Sequence, residues 1–167
     1  GTNEPLKKLK ISSVDVKEKR NLQTEEFNSI NIYIDKTKLD SQRASLQDPK
    51  MLDKINEALD LVNDEFSRLL KVISIDELQL SKDLINQCGV EKFDQNIIKG
   101  IKADLIIFPS LDDLSEGVIA QAGACLFKTS DKRPIGGILQ INKSLSDIQN
   151  SDNFVVYLKN ILLHEIT

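Results

Sequence analysis

At 167 residues, with 40% hydrophobic and 29% charged side chains, the chain carries enough apolar material for one ordinary core, which excludes wholesale disorder. Its 22 basic and 26 acidic residues leave a net charge of −4 without a basic stripe, so nucleic acid and membrane surfaces are excluded as expected partners. No apolar run reaches the roughly eighteen residues of a membrane span, and a single histidine excludes any chemistry that needs two imidazoles from this chain alone.

In chain order, residues 1–20 are rich in Lys and poor in large apolar groups, and read as a tail or extended arm; they lack a signal-peptide core. Residues 21–167 read as one domain. Ile30 to Ile34 alternates with period two, the pattern of a half-buried strand. A turn-rich connection is expected from Asp35 to Asp48. Asp48-Pro49 then supplies a capping residue and a first-turn proline. Leu52, Ile55, Leu59, Val62, Phe66, Leu69 and Ile73 follow at steps of three and four, one apolar stripe along a long helix. At barely three heptads, that stripe fits packing on a sheet better than a coiled coil.

Leu78 to Gln87 fits a short strand or a loop equally. Ala103 to Phe108 is a short apolar run stopped by Pro109, the signature of a buried strand. Gly117 to Ala122 is rich in small residues and leads to Gly123-Ala124-Cys125. A polar turn, Lys128 to Pro134, separates it from Gly137 to Asn142, so the two elements predict a hairpin with a wide loop. From Asp152 an apolar face returns at Val155, Leu158, Ile161, Leu162 and Ile166, a second helix. The order predicts an α/β (α+β) layer, with helices covering a twisted mixed sheet.

Individual residues leave alternatives open. Cys88 and Cys125 fit two buried thiols of a cytosolic protein and one disulfide of a secreted protein equally. Asn142-Lys143-Ser144 is a glycosylation sequon, which makes Asn142 an acceptor candidate. Gly117, Ala120, Ala122, Gly123 and Ala124 would let another backbone approach a sheet edge, or would pack a sheet tightly on a helix. Asp112, Asp113 and Glu116 match no calcium loop with alternating ligands, and read as an acidic loop in solvent. Arg133-Pro134 and Gly136-Gly137 read as turn chemistry.

The sequence closes with Leu163-His164-Glu165-Ile166-Thr167. In HExxH on a helix, two histidines one turn apart reach a single Zn²⁺, and the glutamate polarises the metal-bound water. The chain supplies His-Glu-Ile-Thr, the first four positions. Ahead of it, in order, stand Cys88-Gly89-Val90, Ala103 to Phe108, Glu116 to Cys125, and Asp131 to Asn142 with its Arg133-Pro134-Ile135-Gly136-Gly137-Ile138-Leu139-Gln140-Ile141-Asn142 passage. From about Leu78 to Thr167 this series resembles the leishmanolysin family of zinc endopeptidases, a metzincin branch.

The resemblance implies a zincin-like N-terminal subdomain, its sheet covered by the long helix and by an active-site helix. It implies that His164 is the first zinc ligand, that Glu165 is the general base, and that Cys88 and Cys125 are disulfide partners. It also implies zinc as the cofactor of the complete enzyme, peptide or protein substrates, and a secreted or cell-surface location. The second and third histidines and the methionine turn are missing; Met51, the sole methionine, stands in the wrong place. The chain is therefore expected to be the N-terminal half of a catalytic domain. It would need the C-terminal half of its parent as a partner, bind no zinc tightly and be inactive alone. The rival expectation is a structural or interaction protein that retains a peptidase-like half as a scaffold.

Overall fold

A computed structural model describes residues 11–18, 27–46, 48–144 and the helical positions 155, 156, 159, 160 and 164. The elements are β1 (Ser12–Val14), β2 (Lys17–Glu18), β3 (Phe27–Ser29), β4 (Ile32–Ile34), α1 (Thr37–Ser41), α2 (Lys50–Leu69), β5 (Lys71–Ile73), β6 (Ile75–Glu77), α3 (Lys82–Gln87), α4 (Asn96–Lys99), β7 (Leu105–Asp112), β8 (Ala120–Lys128) and β9 (Pro134–Asn142). Five strands form one mixed sheet in the order β1-β8-β9-β7-β4. Within it β4, β7 and β9 run parallel, β8 is antiparallel to β9, and β1 lies parallel to β8. Two small antiparallel ribbons, β2–β6 and β3–β5, stand apart from it. The expected fold class holds: a mixed sheet with a long helix. Among the described residues no helix is long and apolar enough to cross a membrane.

The period-two pattern divides the interior into two cores. Ile107, Leu111, Leu139 and Ile141 face α2, which presents Met51, Leu52, Ile55, Ala58, Leu59, Val62 and Phe66. Ile106, Phe108, Leu126 and Ile135 face the opposite layer of Ile85, Val90, Phe93 and Ile97. Val155, in the second predicted helix, packs on the α2 side. Leu158, Ile161, Leu162 and Ile166 lie outside the described residues.

At the start of α2, Asp48 Oδ1 accepts the N–H of Lys50 at 3.0 Å, and Pro49 already holds a helical φ of −60°. The helix stops one turn earlier than its apolar periodicity predicts. Leu69 is 67% exposed, Leu70 is extended, and Ile73 belongs to β5. Pairing overrides periodicity there: Ile30 N donates to Leu70 O (2.9 Å), and β3 draws the following residues into a ribbon.

Three further expectations change. The arm at 1–20 contains β1 and β2, because Val14 buries in the second core while its neighbours take up main-chain pairing. The connection from Asp35 to Asp48 contains α1 and a 3₁₀ turn at Arg43–Ser45, anchored by the fully buried Leu39. The strand expected to stop at Pro109 runs on to Asp112. Ile107 O accepts from Asp35 N, and Leu111 exchanges both main-chain hydrogen bonds with the Gln42 side-chain amide at 2.8 Å each. Backbone groups alternate sides along a strand, so Pro109 aims its missing N–H at this same margin, past the end of β4. No donor is lost there.

Candidate functional site

The hairpin of β8 and β9 positions the small-residue strip. Asn142 N donates to Ile119 O at 2.9 Å, and the pairing continues in register as Ala120↔Ile141 through Ala124↔Gly137. In an antiparallel ladder hydrogen-bonded pairs alternate with unbonded ones. Positions 119, 121 and 123 therefore bond to β9, while Ala120, Ala122 and Ala124 turn their main-chain N–H and C=O groups to the outer margin. Among the described residues no strand pairs with that margin above Leu126.

Side chains and backbones of the small residues take different directions. Ala120 is buried in the α2-side core and Ala122 packs against it, so their side chains serve the sheet–helix contact. Their backbones face outward. Close approach on the inner side demands glycine: a Cβ at Gly137 would stand 2.9 Å from Gly123 O. Gly117 is not on the strip; it sits in an exposed turn at φ +86°, which favours glycine, three residues before the strand.

A break in register follows between Ala124 and Leu126, and Cys125 falls within it. The extra residue reverses which positions face outward. From Leu126 to Lys128 the same margin is covered by β1, with Ser12↔Leu126, Ser13↔Phe127 and Val14↔Lys128. Thr129 N donates to Val14 O (3.0 Å), and Ser12 Oγ donates to Gln87 Oε1 on α3. Cys125 is joined by a disulfide to Cys88 at the end of α3, both buried in the second core. The bridge stands one residue from the Ser12↔Leu126 pair at which the β1 pairing begins.

Asn142, the sequon residue, is turned inward. It is 5% exposed, and its Nδ2 donates to Val118 O at 2.7 Å and to Leu114 O and Ser115 O at 3.4 Å. Its Oδ1 accepts from Ser144 N (3.2 Å). An amide nitrogen so engaged is closed to a glycan in the folded chain. Asn142 instead clamps the loop that delivers the chain into β8. Its place at the end of an alternating apolar run was the available signal, and the sequon reading obscured it.

At the β8–β9 turn, Lys128 Nζ pairs with Asp131 Oδ2 at 3.0 Å although Lys128 is almost fully buried. Burial pulls the Asp131 carboxyl upward, but the Arg133 N–H, the Lys128 ammonium and both positive charges outweigh it and hold the group below the usual carboxylate range. At the far side of the second core, Tyr33 Oη donates to Asp94 Oδ2. That hydrogen bond, with the Asn96 N–H and against partial burial, lowers the Asp94 carboxyl. Burial first, then the Asp94 hydrogen bond, pushes the Tyr33 phenol well above its ordinary value.

His164 is helical and exposed; Glu165 lies outside the described residues. Among the described residues no group of three His, Cys, Asp or Glu side chains could hold a metal ion, and both cysteines are consumed by the disulfide. The described residues therefore do not make a complete zinc centre: one imidazole is one ligand of the three a catalytic site uses. Asp113 and Glu116 are exposed in the loop after β7, whereas Asp112 ends that strand half-buried and accepts from Ser110 Oγ at 2.7 Å. No protein-family model matches the chain, and no curated protein matches it.

Proposed function

We propose that the chain is the N-terminal part of a leishmanolysin-like zinc endopeptidase, and that its own contribution is to seat an extended peptide along the outer margin of β8. The observation that carries this reading is the row of outward main-chain groups at Ala120, Ala122 and Ala124. It lies on β8, which runs antiparallel to β9 and precedes the segment carrying His164-Glu165. An added strand would hydrogen-bond to those groups regardless of its side chains, and alanine leaves room for it. The same margin already accepts a strand lower down, where β1 pairs with it.

In this proposal His164 is one zinc ligand, and Glu165 takes a proton from the attacking water and returns it to the leaving amine. The remaining ligands come from residues outside the sequence. The Cys88–Cys125 bridge accords with an oxidising compartment, and the proposed location is secreted or cell surface.

The test is metal content alongside peptide turnover in a longer chain that adds two histidine ligands, and in the same chain with Glu165→Gln. Zinc retained with cleavage abolished supports the roles of both residues. Turnover unchanged by Glu165→Gln refutes the base, and a longer chain that binds no zinc favours an interaction scaffold instead.

A further inference from the structure

We infer that the β8–β9 turn is a receptor for a carboxylate, with the Arg133 guanidinium as its fork. Nε, Nη1 and Nη2 of Arg133 are all buried, and among the described residues none of them has a hydrogen-bond acceptor. A rigid plane of N–H donors is thus withdrawn from water with nothing to receive it. A guanidinium does not shed its charge on burial, and a buried charge without a partner strongly disfavours the fold that holds it. Among the described residues the only other buried side-chain polar atom without a partner is Asn56 Oδ1. An unpaired head group is therefore the exception in this fold and calls for an acceptor.

The neighbouring carboxylate is already committed. Asp131 Oδ1 accepts the main-chain N–H of Arg133 at 3.0 Å, and Oδ2 takes the Lys128 ammonium at 3.0 Å. Those contacts, with Lys128 N donating to Arg133 O at 2.8 Å, hold the turn in shape, and swinging Asp131 toward the fork would break them. Residues 129–132 and Pro134 are exposed. The backbone of Arg133 is thus at the surface and its head group lies beneath a turn, within reach of a solute once that turn shifts. One positive charge needs one negative charge, and the planar fork matches two coplanar oxygens through parallel N–H···O bonds. A carboxylate meets both demands. A free organic acid and an acidic side chain of a second protein share that chemistry.

The experiment follows the Arg133 Nε–H resonance of the whole chain by NMR, at neutral pH, while sodium acetate replaces sodium chloride at constant ionic strength. A second titration uses a blocked glycine pentapeptide with a central glutamate, against its glutamine counterpart. A shift that saturates with acetate at a concentration comparable to or below that of the glutamate peptide assigns a free acid. Saturation by the glutamate peptide at about tenfold lower concentration, without response to the glutamine one, assigns a side-chain carboxylate. No saturable shift with acetate or the glutamate peptide overturns the receptor, and so does a glutamine peptide that acts like the glutamate one. Urea unfolding gives an independent reading. Acetate that binds the folded chain alone raises its folding equilibrium constant about tenfold at roughly ten times Kd. Arg133→Met fills similar space without the charge, so its midpoint should not move with acetate; an equal rise in both proteins is a general salt effect and overturns the assignment. Should Arg133→Met fail to fold, the resonance titration of the unmutated chain decides alone.

Discussion

Removing the Cys88–Cys125 bridge is the most informative perturbation of the fold, because its main effect is calculable. The two residues are 37 apart in sequence. For a closed loop of that size the chain-entropy model gives about 4 kcal/mol of stabilisation through the unfolded state. The native state adds little to this for Cys→Ala, since each alanine leaves only a sulfur-sized gap in the second core. Cys88→Ala combined with Cys125→Ala should therefore lower the unfolding free energy by about 4 kcal/mol. At an m-value of about 2 kcal/mol/M this is a fall of roughly 2 M in the urea midpoint. Equilibrium urea unfolding by circular dichroism measures it. The unmutated chain under a phosphine reductant should give nearly the midpoint of the double variant, because both lose the same constraint. A loss below about 1 kcal/mol, or a reduced protein far less stable than the double variant, would refute the assignment of the effect to loop entropy.

Phe66, 3% exposed among α2 and sheet residues, should lose about 3–5 kcal/mol on Phe66→Ala, measured by the same unfolding curves; a change near zero would contradict its place in the core. Asp94 gives a pH signature. Its folded carboxyl sits below the unfolded value of 3.8, so its stabilisation is complete above that value and is lost as pH falls through the folded one. From about pH 5 downward the unmutated chain should lose stability more steeply than Asp94→Asn, and parallel curves would contradict the Tyr33–Asp94 hydrogen bond as the cause.

Wherever a single face decided the conformation, the sequence was readable. Ile32 and Ile34 pack toward α2 with Tyr33 on the opposite side, and the stripe from Leu52 to Phe66 is buried, as alternation and three-to-four spacing require. It misled where pairing or a polar side chain decided. Leu69 keeps the helical spacing, yet the chain is already turning into β5 beside it. Pro109 looks like a stop because periodicity does not report that Gln42 finishes the strand margin. Ile138 points to the core opposite α2, because its neighbours Gly137 and Leu139 fix the alternation.

The site was legible in part. The small residues of β8 are recognisable from composition, but which of them face outward depends on the pairing register with β9, a long-range property. Asn142 shows the limit most plainly: its triplet matches a surface sequon, while the fold buries it against three loop carbonyls.

The opposite border of the sheet has a consequence for self-association. Along β4, Asn63 Nδ2 from α2 donates to Ile32 O at 3.0 Å, and Ser67 Oγ donates to Ile30 O at 3.3 Å. Beyond β4, Gln42 and Pro109 complete the same border. Side chains thus occupy the Ile30 and Ile32 carbonyls that a second molecule would need for hydrogen bonding, which blunts that border as a template for growth. Among the described residues of the five-stranded sheet, strand pairing between copies is left to the β1–β8 side. A molecule with one adhesive border forms a closed two-fold pair and then has none left, whereas a fibre needs two. The amides of Gln42 and Asn63 thus withdraw one of this sheet's two borders from such assembly.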